Sequence, residues 1–218
     1  MTGGRSMSSI PKVIYVMGID GSGKSTVAGH LAEQLGKRGF RVDVQWLRFN
    51  HVLSKPLLGL CRVAGLTRYE THDGIRVGYH DFHRSRLISW LFVFFQYLDA
   101  ARVRYLKVLP KIRGDGRVLV IDRYVYDILI DVMVDTGLKQ LHSGRIGNAF
   151  KRLLPDDTLV ILVDRSLEDV LEARPEGRVD RNFESRYAFY KVFAQDNNIM
   201  TVRNHGSLAE LLNTIDTG

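Results

Sequence analysis

The chain alternates short apolar runs with longer segments in which apolar residues recur every three or four positions. The short runs predict strands at residues 12–17, 41–47, 117–121, 158–163 and 199–202. The longer segments predict helices at residues 25–38, 87–109, 125–135, 145–154, 167–173, 183–197 and 208–216. Strands that alternate with helices are typical of an α/β domain, here with a five-stranded parallel sheet flanked by helices.

The segment 50–86 departs from this alternation. It contains helical fragments, a loop punctuated by glycine, and the histidines His72, His80 and His83. We interpret it as a helical insertion in a single domain of residues 11–218, which follows a disordered leader of residues 1–10. His80 and His83 have the spacing of one helix face, which permits a metal pair but rarely means one without a nearby carboxylate as the third ligand. Additional hydrogen bonding around a substrate pocket is the favoured interpretation.

Composition and charge narrow the classes of partner. Hydrophobic residues make up 45% of the 218 residues, which is enough for a real core, and the formal net charge is +7. A basic balance fits nucleic acid, an anionic membrane surface or a small polyphosphate substrate. The basic residues are dispersed and form no run with interleaved aromatics, so a phosphate site without nucleic acid is favoured. The most apolar stretch, 90–95, is too short to span a membrane. One cysteine, Cys61, and no apolar leader favour the cytoplasm.

Residues 18–25 read GIDGSGKS and match the phosphate-loop pattern at every position, after a predicted strand and before a predicted helix. The glycines allow backbone N–H groups to surround phosphate oxygens at the start of the helix. Lys24 is expected to bridge the β- and γ-phosphates of ATP, and the Ser25 hydroxyl is expected to bind Mg²⁺. The predicted nucleotide-binding residues are Gly18, Asp20, Gly21, Ser22, Gly23, Lys24, Ser25 and Thr26.

The segment after the third predicted strand separates classes of phosphate-loop protein. A GTPase needs a downstream D-x-x-G and an N-K-x-D, and the chain has neither outside the loop itself. Motors and helicases place a second acid after the acid that ends this strand, whereas here Asp122 is followed by Arg123. Arginine cannot act as a base, but it can hold a phosphate through two hydrogen bonds. The pattern therefore favours transfer to a bound acceptor over hydrolysis.

Four segments together resemble the thymidylate kinases, a family of nucleoside monophosphate kinases. They are the phosphate loop with Asp20, the pair Arg48-Phe49, the sequence from Ala100-Ala101-Arg102 to Asp122-Arg123-Tyr124, and the arginine-rich stretch 174–182. The resemblance spans roughly residues 12–197. It implies a P-loop kinase fold with a mobile lid at about 174–182 and the use of ATP and Mg²⁺ to convert dTMP to dTDP.

The resemblance also implies roles for individual residues. Its catalytic residues correspond to Lys24, Asp122, Arg123 and the lid residues Arg174, Arg178 and Arg181, and Mg²⁺ would be held by Ser25 and Asp122. Its acceptor-binding residues correspond to Asp20, Arg48, Phe49, Leu98, Arg102, Arg123, Tyr124 and Asp127. The family has one form with a catalytic arginine in the phosphate loop and another with it in the lid. This loop has no arginine, so the chain resembles the lid-arginine form.

The resemblance is weakest at the acceptor. Leu98 occupies the position of a family phenylalanine that stacks on thymine, and Asp127 and Asp131 lie four residues apart on the following helix. A nucleoside monophosphate, with dTMP foremost, is the favoured acceptor. A related kinase that acts on another nucleoside, a sugar or a small metabolite is the alternative, and a basic ATP-dependent nucleic-acid protein is a third. The apolar stretch 90–95 is either core or a helix-pair face of a homodimer.

Overall fold

A computed structural model describes residues 10–48, 50–72 and 74–204. All five predicted sheet strands are present, and they form one parallel sheet in the order β2-β5-β1-β6-β7. The strands are β1 (Val13–Met17), β2 (Arg41–Trp46), β5 (Arg117–Asp122), β6 (Thr158–Asp164) and β7 (Met200–Arg203). The prediction of a five-stranded parallel α/β fold is therefore confirmed.

Helices cover both faces of this sheet, as the alternation of strands and helices requires. They are α1 (Lys24–Lys37), α2 (Lys55–Val63), α3 (Arg86–Val103), α4 (Val125–Thr136), α5 (Arg145–Lys151), α6 (Leu167–Ala173) and α7 (Phe183–Asp196). In β1, Ile14 and Val16 pack into the core on the α1 side, and Tyr15 and Met17 pack into the larger core on the opposite side. Every residue of β1 is therefore buried, as expected for a central parallel strand. The carboxyl end of β1 leads directly into the phosphate loop.

The prediction of a helical insertion at 50–86 is wrong over residues 67–80. The segment 50–86 contains α2 and a short 3-10 helix (Phe82–Arg84). Between them, β3 (Thr67–His72) and β4 (Ile75–His80) form an antiparallel hairpin in which Thr67 lies opposite His80. Gly74 at the turn has φ of 80°, a conformation that favours glycine. His80 ends a strand, so it does not share a helix face with His83. Within the described ranges, no group of three potential metal ligands occurs.

Several sequence predictions concern residues outside the described ranges. These are the leader over residues 1–9, the acceptor contact of Phe49 and the closing helix at 208–216.

In the stretch 90–95, Phe92 and Val93 are buried, whereas Phe94 is 54% exposed. Among the helices that the structure describes, none has the length and apolar character needed to cross a membrane.

Candidate active site

The phosphate loop lies between β1 and α1, and its backbone conformation depends on glycine. Gly18, Gly21 and Gly23 have φ of 149°, 91° and 92°. A Cβ at Gly18 would lie 2.7 Å from the carbonyl oxygen of Val163, too close for any side chain. The chain can therefore turn tightly here and bring backbone N–H groups together at the start of the 14-residue helix α1. Such a loop is suited to bind the phosphates of a nucleotide.

Lys24 is the buried cation of this loop. Its side-chain ammonium donates a hydrogen bond to the carbonyl oxygen of Ile19 at 2.8 Å, and the residue is 5% exposed. Burial, and after it the nearby Arg123, lower the pKa of Lys24 to about 8, although Asp20 opposes the shift. An anion bound at the loop would remove the cause of this low pKa. The ammonium is thus placed to stabilise a polyphosphate.

Nucleotide binding is expected to take up a proton at alkaline pH, because the pKa of Lys24 is low only without an anion. Above pH 8 the free protein holds Lys24 increasingly neutral, and bound ATP restores its charge. At pH 9 we expect binding to take up about one proton and to weaken about fivefold relative to pH 8. Isothermal titration calorimetry in two buffers of different ionisation enthalpy measures the number of protons taken up when ATP binds. An equal proton uptake at pH 7 and pH 9 would contradict the assignment.

Ser25 and Asp122 form the predicted Mg²⁺ site. The Ser25 hydroxyl donates a hydrogen bond to Asp122 Oδ2 at 2.5 Å. The other carboxylate oxygen, Oδ1, is buried and has no hydrogen-bond partner among the described residues. Mg²⁺ is bound by hard oxygen ligands and keeps several of its waters. An orphaned carboxylate oxygen beside a hydroxyl at the phosphate loop fits such an ion or one of its waters.

Two arginines predicted to hold an acceptor phosphate converge on Asp20 of the phosphate loop. Arg48 donates from Nη1 to Asp20 Oδ2 at 3.1 Å, and Arg123 donates from Nη2 to Asp20 Oδ1. Burial raises the pKa of Asp20, but Arg123 and Arg48 outweigh it, so that the net shift is downward. Both guanidinium groups therefore face the cleft that contains Lys24. This arrangement concentrates positive charge where two phosphates would meet.

Asp127 lies behind Arg123 rather than on the cleft surface. Its carboxylate is fully buried and accepts hydrogen bonds from the hydroxyls of Tyr15 and Tyr190, both at 2.6 Å, and from Arg123 Nη1 at 3.2 Å. The buried hydroxyl of Tyr124 donates to a backbone carbonyl of α3. These hydrogen bonds favour positioning roles for Asp127 and Tyr124, and the direct contact of either residue with an acceptor stays a prediction. Arg123 itself has a positive φ of 65°, which this network holds in place.

A cavity of about 250 Å³ lies beside Arg48, on the side away from Lys24. Arg48 donates to both oxygens of Asp131, from Nε at 3.0 Å and from Nη2 at 2.9 Å. Most of the lining side chains are polar: the lining residues are Arg48, His51, Leu58, Gly78, His80, Phe92, Gln96, Ile128, Asp131, Val132, Asp135 and Arg186. This cavity is the candidate acceptor site, because Arg48, which converges on Asp20 together with Arg123, is one of its lining residues.

Helix α3 contributes to the cavity through other residues than those predicted. Phe92 and Gln96 line it, whereas Leu98 and Arg102 do not. Leu98 follows Gln96 by two residues and so points about 200° away around the helix. Leu98 and Arg102 therefore do not line this candidate cavity, and their contact with an acceptor stays a prediction. The next residue on the cavity face, Asp99, instead accepts hydrogen bonds from backbone N–H groups of residues 52–54 and so fixes the start of α2.

The sequence analysis did not predict the deepest polar residues of the cavity. Arg186 of α7 donates to Asp180 at 2.7 Å and lies 3.4 Å from Asp131. Asp135 lies one turn beyond Asp131 on α4, and burial raises its pKa to about 8. Asp135 continues the four-residue spacing of Asp127 and Asp131, and this spacing could have identified it from the sequence.

The three lid arginines have different surroundings. Arg174 packs beside Gly21 of the phosphate loop and pairs with Glu176 at 3.2 Å. Arg181 donates to Asp81 at 2.6 Å and stacks 4.1 Å over the Tyr79 ring, so the β3–β4 hairpin holds it. Arg178 is exposed, and its guanidinium has no ion pair within the described part of the chain. Arg174 and Arg178 are thus better placed than Arg181 to reach a nucleotide.

A second cavity, of about 490 Å³, separates the lid from the phosphate loop. Asp20, Arg174 and Asp180 line it, together with Arg76 and Gly78 of β4. Gly78 borders this cavity and the acceptor cavity alike. The hairpin therefore forms a wall common to the lid cleft and the acceptor site.

Comparisons with known proteins agree with this geometry at the level of the fold. No family model and no curated protein matches the chain. Among solved structures, the thymidylate kinase from Ehrlichia chaffeensis superposes with a TM-score of 0.52 over 94% of this chain and 97% of its own, at 15% identity. The chain has a P-loop kinase fold. At that identity the likeness concerns the fold alone, and the site must be argued from its own residues.

Proposed function

We propose that this protein transfers the γ-phosphoryl group of ATP to a small acceptor held beside Arg48 and Arg123. The observation that carries the proposal is the convergence of both guanidinium groups on Asp20, next to the buried Lys24. Two guanidinium groups beside the phosphate loop are suited to hold a second phosphate next to the one that is transferred. Transfer between two phosphates gathers negative charge, and fixed cations stabilise that charge.

Each group of residues has its own role in the proposed phosphoryl transfer. The loop amides and Lys24 hold the β- and γ-phosphates, and Ser25 with Asp122 would hold Mg²⁺, which neutralises phosphate charge when bound. Arg123, oriented by Asp127, and Arg48 place the acceptor oxygen in line with the γ-phosphorus. That oxygen forms the new P–O bond as the bond to ADP breaks. A lid arginine, Arg174 or Arg178, covers the transferred group and keeps water out.

A nucleoside monophosphate is the first acceptor to test, and dTMP to dTDP is the specific reaction that we propose. A bound acceptor phosphate would replace Asp20 and Asp131 as the hydrogen-bond partner of Arg48 and Arg123. Coupled ADP release with ATP, Mg²⁺ and a panel of nucleoside monophosphates tests this. We expect dTMP to stimulate ADP release well above the rate without acceptor. If dTMP and its relatives give only the background rate, the monophosphate assignment is wrong.

A second class of acceptor is favoured by one specific observation. The Asp131 carboxylate already accepts hydrogen bonds from two donors of Arg48 and lines the same cavity, so a phosphate bound there would meet a negative charge. A nucleoside, a sugar or another hydroxyl-bearing metabolite would avoid that repulsion. ADP release that depends on an unphosphorylated acceptor, with none from monophosphates, would decide for this class.

Assembly and nucleic acid are the remaining questions about partners. Leu87 and Phe94 of α3 are 69% and 54% exposed, and Trp90 lies between them on the same face. We propose that this face pairs two copies of the chain, which sedimentation at micromolar concentration tests. We further propose that the +7 charge serves the phosphate sites rather than DNA. DNA should then leave the rate of ATP turnover unchanged.

A further inference from the structure

Three aspartates follow one another at four-residue spacing along α4, and the last differs from the other two. Asp127 and Asp131 each accept a hydrogen bond from an arginine. Asp135 accepts none from any described residue; its nearest cation is Arg186 Nη2, at 3.7 Å. Its side chain is nevertheless only 8% exposed and lines the cavity beside Arg48. A buried carboxyl group without a hydrogen-bond partner is rare, and a bound ligand is one way to supply that partner.

The surroundings of Asp135 keep it uncharged at neutral pH. Burial raises the pKa of its carboxyl to about 8; Arg186 opposes the shift, and Asp131 adds to it. Arg48, on the loop after β2, and Asp180, before α7, also act on it from a distance. The other polar side chains that line the cavity are His51, His80 of β4 and, from α3, Gln96. A neutral carboxyl both donates and accepts a hydrogen bond, as a hydroxyl group does.

We propose that Asp135 is a specificity-determining residue that binds a hydroxyl group of the acceptor inside this cavity. This rests on the proposed phosphoryl transfer and adds the chemical class of the acceptor: a molecule with a sugar hydroxyl. The sugar is either free or part of a nucleoside or nucleotide. A planar base is less suited, because Phe92 is the only phenyl or indole ring that lines the cavity within the described ranges.

Two substitutions at Asp135 separate hydrogen bonding from packing. Asp135→Asn keeps the size and one N–H donor, whereas Asp135→Leu removes the polar group. Asp115→Asn, in the exposed turn before β5, is the matched control. With dTMP, thymidine, ribose and glucose as probes, ADP release gives KM and kcat. For whichever probe is active, Asp135→Leu should raise its KM at least about tenfold, because a hydroxyl left without its partner is strongly disfavoured. The KM for ATP should stay within about twofold, and Asp135→Asn and Asp115→Asn should resemble the parent at pH 7.

The pH profile gives a readout that a purely structural role would not move. In the parent protein the KM of the active probe should rise about fivefold between pH 8 and pH 9 as the Asp135 proton is lost. In Asp135→Asn it should rise clearly less, because Asn does not titrate and only changes at Lys24 remain. Identical profiles for the two proteins would overturn the proposal, as would an equal rise of the KM values for ATP and acceptor in Asp135→Leu.

Binding distinguishes failure of this proposal from failure of the proposed reaction. Thermal shift with the same four probes, in the presence of ADP and Mg²⁺, needs no turnover. Stabilisation of the parent but not of Asp135→Leu supports the role of Asp135 even if no phosphoryl transfer is seen. Absence of both stabilisation and turnover with all four hydroxyl-bearing probes overturns it.

Discussion

Replacing Lys24 with alanine is expected to lower acceptor-dependent ADP release by about 10³-fold, the scale seen when one fixed charge or donor is removed from a transition state. Lys24 is the buried ammonium of the loop, and its hydrogen bond to Ile19 sets its direction. Neither the loop amides nor Mg²⁺ replaces a cation at that point. The measurement is kcat under saturating ATP and acceptor, so that weaker binding is separated from slower transfer.

The matched control for Lys24→Ala is Lys37→Ala on the same helix. Lys37 is exposed and pairs with Glu33, and an exposed ion pair of this kind contributes little to stability. Its removal should leave kcat within about twofold of the parent, consistent with a surface substitution. If Lys24→Ala kept a tenth or more of the parent kcat, the loop would not be the site of transfer.

Arg123→Ala is expected to lower kcat/KM for the acceptor by about 10²–10³-fold and to leave the affinity for ATP within about threefold. The reason is position: Arg123 lies on the acceptor side of Asp20 and is held by Asp127 and Tyr190. The substitution also leaves Asp127 buried without its cation, and breaking a buried ion pair costs about 3–5 kcal/mol of the free energy of unfolding. The stability of Arg123→Ala must therefore be measured by thermal unfolding alongside its kinetic constants.

Arg123→Lys is the companion variant that separates charge from geometry. Lysine keeps a cation beside Asp127, and so should recover most of the lost stability, but it has no paired donors to hold a phosphate oxygen on two sides. We expect kcat/KM for the acceptor to remain at least about tenfold below the parent. Loss of ATP affinity in Arg123→Ala, with acceptor affinity kept, would reverse the division of roles between Arg123 and Lys24.

The fold was predictable because its signals are local. Each sheet strand is a short apolar or alternating run, and the phosphate loop is contiguous, so that Gly18, Lys24 and Ser25 could be assigned from the sequence alone. The β3–β4 hairpin was missed because its alternating residues, such as Arg68, Glu70 and Arg76, are polar on exposed positions and resemble a loop. Hairpin register depends on pairing across the turn, which no short window contains.

The acceptor site was poorly predicted because it is assembled from distant segments. Gln96, Asp135 and Arg186 come from three helices, and only tertiary packing brings them to one cavity. Leu98 was carried over from a family pattern, and it does not line the cavity because a helix places it on nearly the opposite face from Gln96, two residues earlier. Asp127 shows the opposite case, in which the sequence located the residue but not its burial.

The fate of the γ-phosphate tests the central claim most directly. The protein is incubated with [γ-³²P]ATP, Mg²⁺ and a mixture of nucleoside monophosphates, nucleosides and sugars, and the products are separated by chromatography. The account predicts that the label appears on one organic acceptor, with little in inorganic phosphate, and that Lys24→Ala abolishes the transfer. Label found in inorganic phosphate alone, at the same rate with and without the mixture, would contradict it.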